Sequence, residues 1–331
     1  MRAKYIPADI CIGVVGLGLM GSSIVVALLA AGHPVKAIAP LPAEEAEAPA
    51  RILAQLQHCA AAGLLEAPIE DYQARLIISG DYHQLKDCRL VLECVIEKQD
   101  IKALVYRRIT DVVSDDAVIS SNTSAIPISV LQEQVLHPER FLGIHWAEPA
   151  YATRFLEITC GVQTAAKYAD WVYELSRCWG KEATLLRKDI RGFITNRLMY
   201  AVYREALSLV ADQRATLEDV DKSFRYDTGS WITLMGIFRR MDFNGISDYA
   251  AIFRTIFPTL SNSEEVPMLM QRMVDIHAKG IHNQKGLYEY TAAEAREWEA
   301  AFALFNRDIC QLAALYPEEE LHATESNGQS L

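Results

Sequence analysis

From Ile10 to Gly32 the chain carries no charge, and this run limits the possible folds more than any other feature. Its length alone would suit a membrane span, and Arg2 and Lys4 ahead of it imitate the basic start of a signal peptide. Its internal order reads otherwise. Ile10-Cys11-Ile12-Gly13-Val14-Val15 is a short β-type stretch, Gly16-Leu17-Gly18-Leu19-Met20-Gly21 follows, and Ser22 to Ala31 reads as a buried helix stopped by Gly32-His33-Pro34. Strand, glycine turn and helix in this order form a soluble phosphate-binding unit. Gly16 makes the tight turn, Gly18 lets the backbone approach a pyrophosphate, and Gly21 lets the helix pack closely on the strand. The helix start then offers unpaired N–H groups to the phosphates. Gly16, Leu17, Gly18, Leu19, Met20 and Gly21 are therefore candidate cofactor contacts.

Downstream, short apolar strands alternate with helical segments. Val35–Ala39, Leu76–Ser79, Leu90–Ile96, Ala117–Ser120, Phe141–His145, Phe155–Thr159 and Ala183–Leu186 read as strands. Ala43 to Ala62 reads as a helix with a break at Pro49, and Ala165 to Trp179 as a helix ended by Gly180. Such alternation predicts a parallel sheet covered by helices. Near Arg187 the pattern turns all-helical and continues to about Phe305, with breaks at Gly229, Pro258 and Gly280. Phe193–Ala211 is read as the longest helix of that half. The expected division is 1–188 for the sheet domain and 189–331 for a helical domain that serves substrate binding and dimerisation, with a polar tail from about 317.

A length of 331 residues agrees with about two domains. The net charge of −11 argues against broad contact with nucleic acid or anionic lipid, which needs clustered Lys and Arg. Seven scattered cysteines without a C-x-x-C pair fit a reducing compartment, hence a cytoplasmic location, and neither a disulfide framework nor a metal cluster.

Four further segments carry chemistry. Glu93-Cys94-Val95-Ile96-Glu97, with Lys102 beyond it, follows the fourth strand, and Ser121-Asn122-Thr123-Ser124 follows the fifth. His145-Trp146-Ala147-Glu148-Pro149 follows the sixth, with Glu157 twelve residues after His145. Gly192-Phe193-Ile194-Thr195-Asn196-Arg197 opens the long helix. Removing a hydroxyl proton while hydride leaves for a nicotinamide needs a base, and histidine titrates near working pH. A carboxylate on the other ring nitrogen would fix its tautomer. Taken alone, His145 with Glu157 also suits a structural pair, Ser124 a turn residue, Asn196 a helix cap, and Glu97 with Lys102 a surface pair.

Together with the glycine turn, these motifs resemble the 3-hydroxyacyl-CoA dehydrogenase family, which includes the L-gulonate and carnitine dehydrogenases and the lens protein lambda-crystallin. The resemblance runs from about residue 10 to about 290 and keeps the family's order and spacing. It implies a Rossmann-type doubly wound, mainly parallel α/β sheet followed by an all-helical C-terminal domain. It further implies oxidation of the 3-hydroxyl of a 3-hydroxyacyl-CoA or small 3-hydroxy acid, with NAD as cofactor and a homodimeric assembly. By resemblance His145 is the base and Glu157 orients it. Ser124 and Asn196 bond the reacting oxygen or the neighbouring carbonyl. Glu97, Lys102, Asn122 and Ser124 lie along the cofactor.

The chain departs from the family in three places. Ala39 replaces the acid that usually ends the second strand and binds the ribose hydroxyls, so NADP stays open beside NAD. Glu44 or Glu45 could reach back to that place, or Lys36 could meet a 2′-phosphate. Glu148 stands where the family has Asn, and Ala50 to Tyr72 lacks the lysines that would hold the nucleotide of CoA. Two alternatives compete with this reading. A 3-hydroxyisobutyrate-type dehydrogenase shares the glycine turn but needs a lysine on the long helix, where Phe193–Ala211 has none. A non-catalytic dinucleotide-binding or crystallin-like protein would not need the His145, Glu157, Ser124 and Asn196 set.

Overall fold

A computed structural model describes residues 5–316. The chain divides into two compact units between Thr195 and Asn196. The first unit opens with β1 (Ile12–Val15), α1 (Leu19–Ala30), β2 (Val35–Ile38), α2 (Pro42–Ala61) and α3 (Ile69–Gln73), then β3 (Leu76–Ser79). It continues through β4 (Leu90–Glu93), α4 (Gln99–Thr110), β5 (Val118–Ser121), α5 (Ile128–Gln132) and β6 (Phe141–Trp146), and closes with β7 (Phe155–Cys160), α6 (Ala166–Ser176) and β8 (Glu182–Leu186).

These strands form one sheet in the order β3-β2-β1-β4-β5-β6-β7-β8. Every neighbouring pair is parallel except β6 with β7. The strand order reverses between β1 and β4, and in sheets of this kind ligands bind beyond the carboxyl ends of the strands at such a point. This is the helix-covered, mainly parallel sheet that the strand alternation predicts, in the doubly wound form that the family resemblance implies.

The uncharged run is explained by burial on all sides. All four residues of β1 are buried, and so is α1 from Gly21 to Leu29. The helix starts at Leu19, three residues earlier than predicted. Gly18 takes an extended conformation as its cap, and the Ser22 N–H already bonds the Gly18 carbonyl at 3.0 Å. Among the described residues no helix is long and apolar enough to cross a membrane.

Two predicted breaks are overruled. Pro49 lies inside a continuous α2. It is exposed, so water can satisfy the carbonyl left without a donor. Gly229 is helical, at φ −60° and ψ −27°, and the π-helical turn Phe224–Thr228 runs straight into α9. The kinks fall instead at Gly236 (φ 67°) and Gly245 (φ 97°), where only glycine is unstrained.

The second unit holds α7 (Thr195–Ala211), α8 (Leu217–Ser223), α9 (Gly229–Asn244), α10 (Ile246–Ile256), α11 (Met268–Asp275) and α12 (Ala292–Ala314). Its longest element is α12 with 23 residues, not α7 with 17. A capping box between Thr291 and Glu294 starts α12, and the helix runs past Phe305 to Ala314. The polar tail from 317 lies outside the described residues.

The units part after Thr195, somewhat beyond the expected position near 189. Asp189 accepts the Ser129 N–H at 2.6 Å and its hydroxyl at 2.8 Å, and Phe193 is buried. Both contacts tie the connecting segment to the first unit.

Packing at the glycine turn gives a direct test. A Cβ on Gly21 would lie 1.8 Å from the Gly16 carbonyl oxygen, whereas one on Gly18 meets nothing within 4 Å. Gly21→Ala should cost about 3 kcal/mol of stability, measured by chemical denaturation, because backbone must move. Gly18→Ala should cost at most about 1 kcal/mol, the difference between Gly and Ala at a cap.

Candidate active site

The site is assembled at the carboxyl ends of β1, β4, β5 and β6. After β1, Gly16 turns at φ 96°, and a Cβ there would strike the Cys94 carbonyl at 2.8 Å. Gly16 and Gly21 thus keep the turn tight. Gly18 faces open space, the room a pyrophosphate needs at the start of α1. Leu17 is buried, Leu19 is exposed, and Met20 packs on the core. The turn therefore suits a dinucleotide. Two side chains of α2 reach it. Glu44 Oε1 accepts the Leu17 N–H at 2.7 Å, and Arg51 donates to the Leu17 carbonyl at 2.5 Å. Burial pushes the Glu44 carboxyl up, against the opposing pull of the Leu17 and Gly18 amides.

Glu93, the last residue of β4, is fully buried. Its carboxylate accepts from Lys102 Nζ at 2.8 and 2.9 Å, from the Tyr106 hydroxyl at 2.8 Å, from the Ser121 hydroxyl at 2.7 Å and from the Val95 N–H at 2.7 Å. Burial alone would lower the Lys102 pKa, but the Glu93 charge beside it wins and the net shift is upward. Lys102 also pairs with Glu97 at 3.0 Å, and Glu97 accepts the Thr123 hydroxyl. Glu97 and Lys102 are therefore not a surface pair: Lys102 is buried inside this network and Glu97 stands at its partly exposed edge. Asn122 extends the framework. Its N–H bonds the Glu93 carbonyl at 2.8 Å, and its side-chain oxygen accepts the Trp146 N–H at 3.0 Å, next to His145. Ser124 lies on the exposed part of the same loop.

His145 and Glu157 face each other across the antiparallel pair β6 and β7. Their spacing of twelve residues is the span of that connection. His145 Nδ1 lies 3.3 Å from Glu157 Oε2, while Glu157 Oε1 accepts the Ile194 N–H at 2.9 Å. Glu157 is 1% exposed and His145 15%, so the carboxylate is fixed inside and the ring reaches outward. Phe155 and Phe193 flank the ring at 5.3 and 6.1 Å between centroids. With Nδ1 engaged, Nε2 is the nitrogen left for a substrate proton. Asn196 belongs to the second unit, in the first turn of α7. Among the described residues no group of three His, Cys, Asp or Glu side chains could hold a metal ion.

Sequence reasoning missed Glu93, Tyr106 and Arg51 as parts of the site. The available signal for Glu93 was an acid closing the buried run Leu90-Val91-Leu92, since a buried charge demands partners.

Residues 11–190 match the model of the 3-hydroxyacyl-CoA dehydrogenase NAD-binding domain, and residues 192–290 match that of the family's C-terminal domain. The chain belongs to the 3-hydroxyacyl-CoA dehydrogenase family. It is accordingly an NAD-dependent oxidoreductase. A 5-formyl-3-hydroxy-2-methylpyridine 4-carboxylate 5-dehydrogenase from Mesorhizobium japonicum is 30% identical over 291 residues, covering 87% of this chain and 93% of that protein. A solved structure of an enzyme described in the same terms, an NAD+-dependent dismutase, superposes with a TM-score of 0.84 at 28% identity, over 92% of this chain and 98% of the other. A 3-hydroxybutyryl-CoA dehydrogenase of Mycobacterium tuberculosis (strain H37Rv) is 30% identical over 283 residues, covering 84% of this chain and 98% of that protein. An L-carnitine dehydrogenase of Pseudomonas aeruginosa is 28% identical over 304 residues, covering 91% of both. As both halves of the 3-hydroxyacyl-CoA dehydrogenase pattern are present, the 3-hydroxyisobutyrate-type alternative is set aside.

The network under the site is testable without substrate. Lys102→Met leaves the Glu93 charge buried without its counterion and should cost about 3 kcal/mol in denaturant unfolding. The double variant Glu93→Gln with Lys102→Met should recover part of that loss.

Proposed function

We propose that this dehydrogenase oxidises the 3-hydroxyl of a 3-hydroxyacyl thioester or small 3-hydroxy acid to the 3-keto product, with His145 as base and Glu157 as the residue that positions it. The pairing of an outward-reaching His145 with a buried, doubly bonded Glu157 carries the reading. Nε2 takes the hydroxyl proton, the C–O bond becomes a carbonyl, and hydride leaves the same carbon. The nicotinamide, when bound, accepts that hydride. Glu157 stabilises the imidazolium and holds the tautomer that presents Nε2. By family likeness Ser124 and Asn196 would bond the reacting oxygen or the adjacent carbonyl. Glu97 and Asn122 would border the cofactor, with Lys102 beneath them.

Two observations favour a small hydroxy acid over a CoA thioester. No lysine lies between Ala50 and Tyr72 to meet a nucleotide phosphate. Glu148, three residues from the base, is exposed by area yet desolvated enough to push its carboxyl up. A carboxylate there suits a hydroxyl-rich or cationic substrate group better than the polyphosphate of CoA. A spectrophotometric screen of NAD and NADP against free 3-hydroxy acids and their CoA thioesters tests this. Turnover confined to thioesters would overturn the preference. His145→Gln should lower kcat at least about a thousandfold and leave the Kd for NADH within about twofold. Wild-type-like turnover in that variant would overturn the mechanism.

A homodimer through the helical unit is part of the proposal. Among its described side chains only Ala295 is buried, while Phe238 and Phe243 are 82% and 73% exposed. Helices this apolar need a partner surface, and a second copy is the common solution. Light scattering at micromolar concentration should give twice the chain mass, and a monomer would refute the assignment.

A further inference from the structure

We propose that Glu44, from the first turn of α2, is the acid that holds the adenosine ribose hydroxyls of NAD, in place of the missing acid at Ala39, and so makes the protein selective for NAD over NADP. The proposal concerns the dinucleotide site and stands apart from the choice of substrate above.

The argument begins with where an acid is needed. β1 and β2 are parallel neighbours with Val15 opposite Ile38, and the Gly16 N–H bonds the Ile38 carbonyl at 2.9 Å. The residue after β2 therefore stands beside the glycine turn, where the adenosine ribose of a bound dinucleotide comes to rest. That residue is Ala39, which is buried and has no polar side chain.

A carboxylate nevertheless sits there. The Glu44 side chain crosses from α2 to the turn and accepts the Leu17 N–H at 2.7 Å. Helix geometry supports this reach. Leu41 caps α2 and Pro42 starts it, which places Glu44 at the third helical position, where an acid is favoured by the helix dipole. One amide bond leaves most of a carboxylate's acceptor capacity for the hydroxyls of a ribose. Glu45 also lies near Ala39, through Gly80, but is already bonded there. Glu45 accepts the Gly80 N–H at 3.0 Å, at the end of β3. Lys36 is the second residue of β2, in register with Gly13 and so set back from the strand end at Ala39.

The same arrangement opposes NADP. Arg51 is the cation nearest this turn in the hydrogen-bond network, and it is already tied to the Leu17 carbonyl and to Glu47 at 2.9 Å. A 2′-phosphate would enter facing the Glu44 carboxylate, with Arg51 neutralised by Glu47. A ribose 2′-hydroxyl instead donates to that carboxylate.

The test is equilibrium binding to the full-length protein, so that it does not depend on a known substrate. Calorimetry or NADH fluorescence is run with NADH, NADPH, ADP-ribose and 2′-deoxy-ADP-ribose on the wild type, Glu44→Gln, Glu44→Asp and the control Glu45→Gln. Wild type should bind NADH at least about tenfold more tightly than NADPH, and should lose about fivefold or more on removal of the 2′-hydroxyl. Glu44→Gln should weaken NADH about tenfold, narrow or reverse the gap to NADPH, and become indifferent to the 2′-hydroxyl. Glu44→Asp should retain part of the wild-type selectivity, and Glu45→Gln all of it. Equal wild-type affinity for ADP-ribose and its 2′-deoxy form would overturn the proposal, and so would wild-type affinity for NADPH equal to that for NADH. Equal weakening of NADH and NADPH by Glu44→Gln would also overturn it, since that is the signature of a residue that only braces the turn.

Discussion

A buried carboxylate at the end of β4 organises the carboxyl edge of the sheet. Glu93 brings together the loop after its own strand through Val95, helix α4 through Lys102 and Tyr106, and strand β5 through Ser121. Its own backbone carbonyl continues the chain of contacts to Asn122, and Asn122 holds the Trp146 amide beside His145. A charge removed from water is tolerable only when such partners surround it. The cost of burying it therefore enforces one arrangement of the three loops on which the site is built. The strand end at His145 is braced by this frame although Glu93 itself does not touch the imidazole.

His145 is held by a second, separate constraint. Antiparallel pairing of β6 and β7 sets His145 opposite Glu157, and the Ile194 N–H fixes the far oxygen of that carboxylate. The single antiparallel pair of an otherwise parallel sheet thus creates the His145–Glu157 contact. A parallel crossover would need a dozen or more residues in the connection, whereas here the shorter connection 147–154 brings the chain back with His145 and Glu157 in register. The segment from Asp189 to Ile194 is drawn onto the same unit by Ser129 and Glu157, which explains why the units part later than composition suggests.

What the sequence discloses depends on the range of the interaction. The glycine turn, the strand alternation and the His145–Glu157 spacing rest on neighbours within about a dozen positions, and all three are legible by eye. Glu93 with Ser121 spans 28 positions and Glu44 with Leu17 spans 27, so neither pairing follows from local pattern. Pro49 and Gly229 mislead for a different reason. Proline and glycine mark a break only when the freed carbonyl or the backbone freedom is used. At Pro49 solvent can replace the lost bond, and at Gly229 ordinary helical angles suffice. The reach of α12 was hidden because its start is set by a local capping box, while nothing comparable in the sequence marks its end.

An overall charge of −11 opposes the demands of an anionic cofactor, and the glycine turn shows how they coexist. Binding there does not draw on cationic side chains. Arg51 is spent on the Leu17 carbonyl and Glu47, and Lys102 on Glu93 and Glu97. The positive field there comes from backbone amides at the start of α1, which carry no titratable group. Acids are then free to take other work at the same edge. Glu44 occupies the turn from α2, Glu157 contacts the His145 ring, and Glu148 stands three residues beyond His145. Where the phosphates are held by amides, carboxylates can define which hydroxyl-bearing groups enter beside them, and an acidic chain loses nothing by carrying many of them.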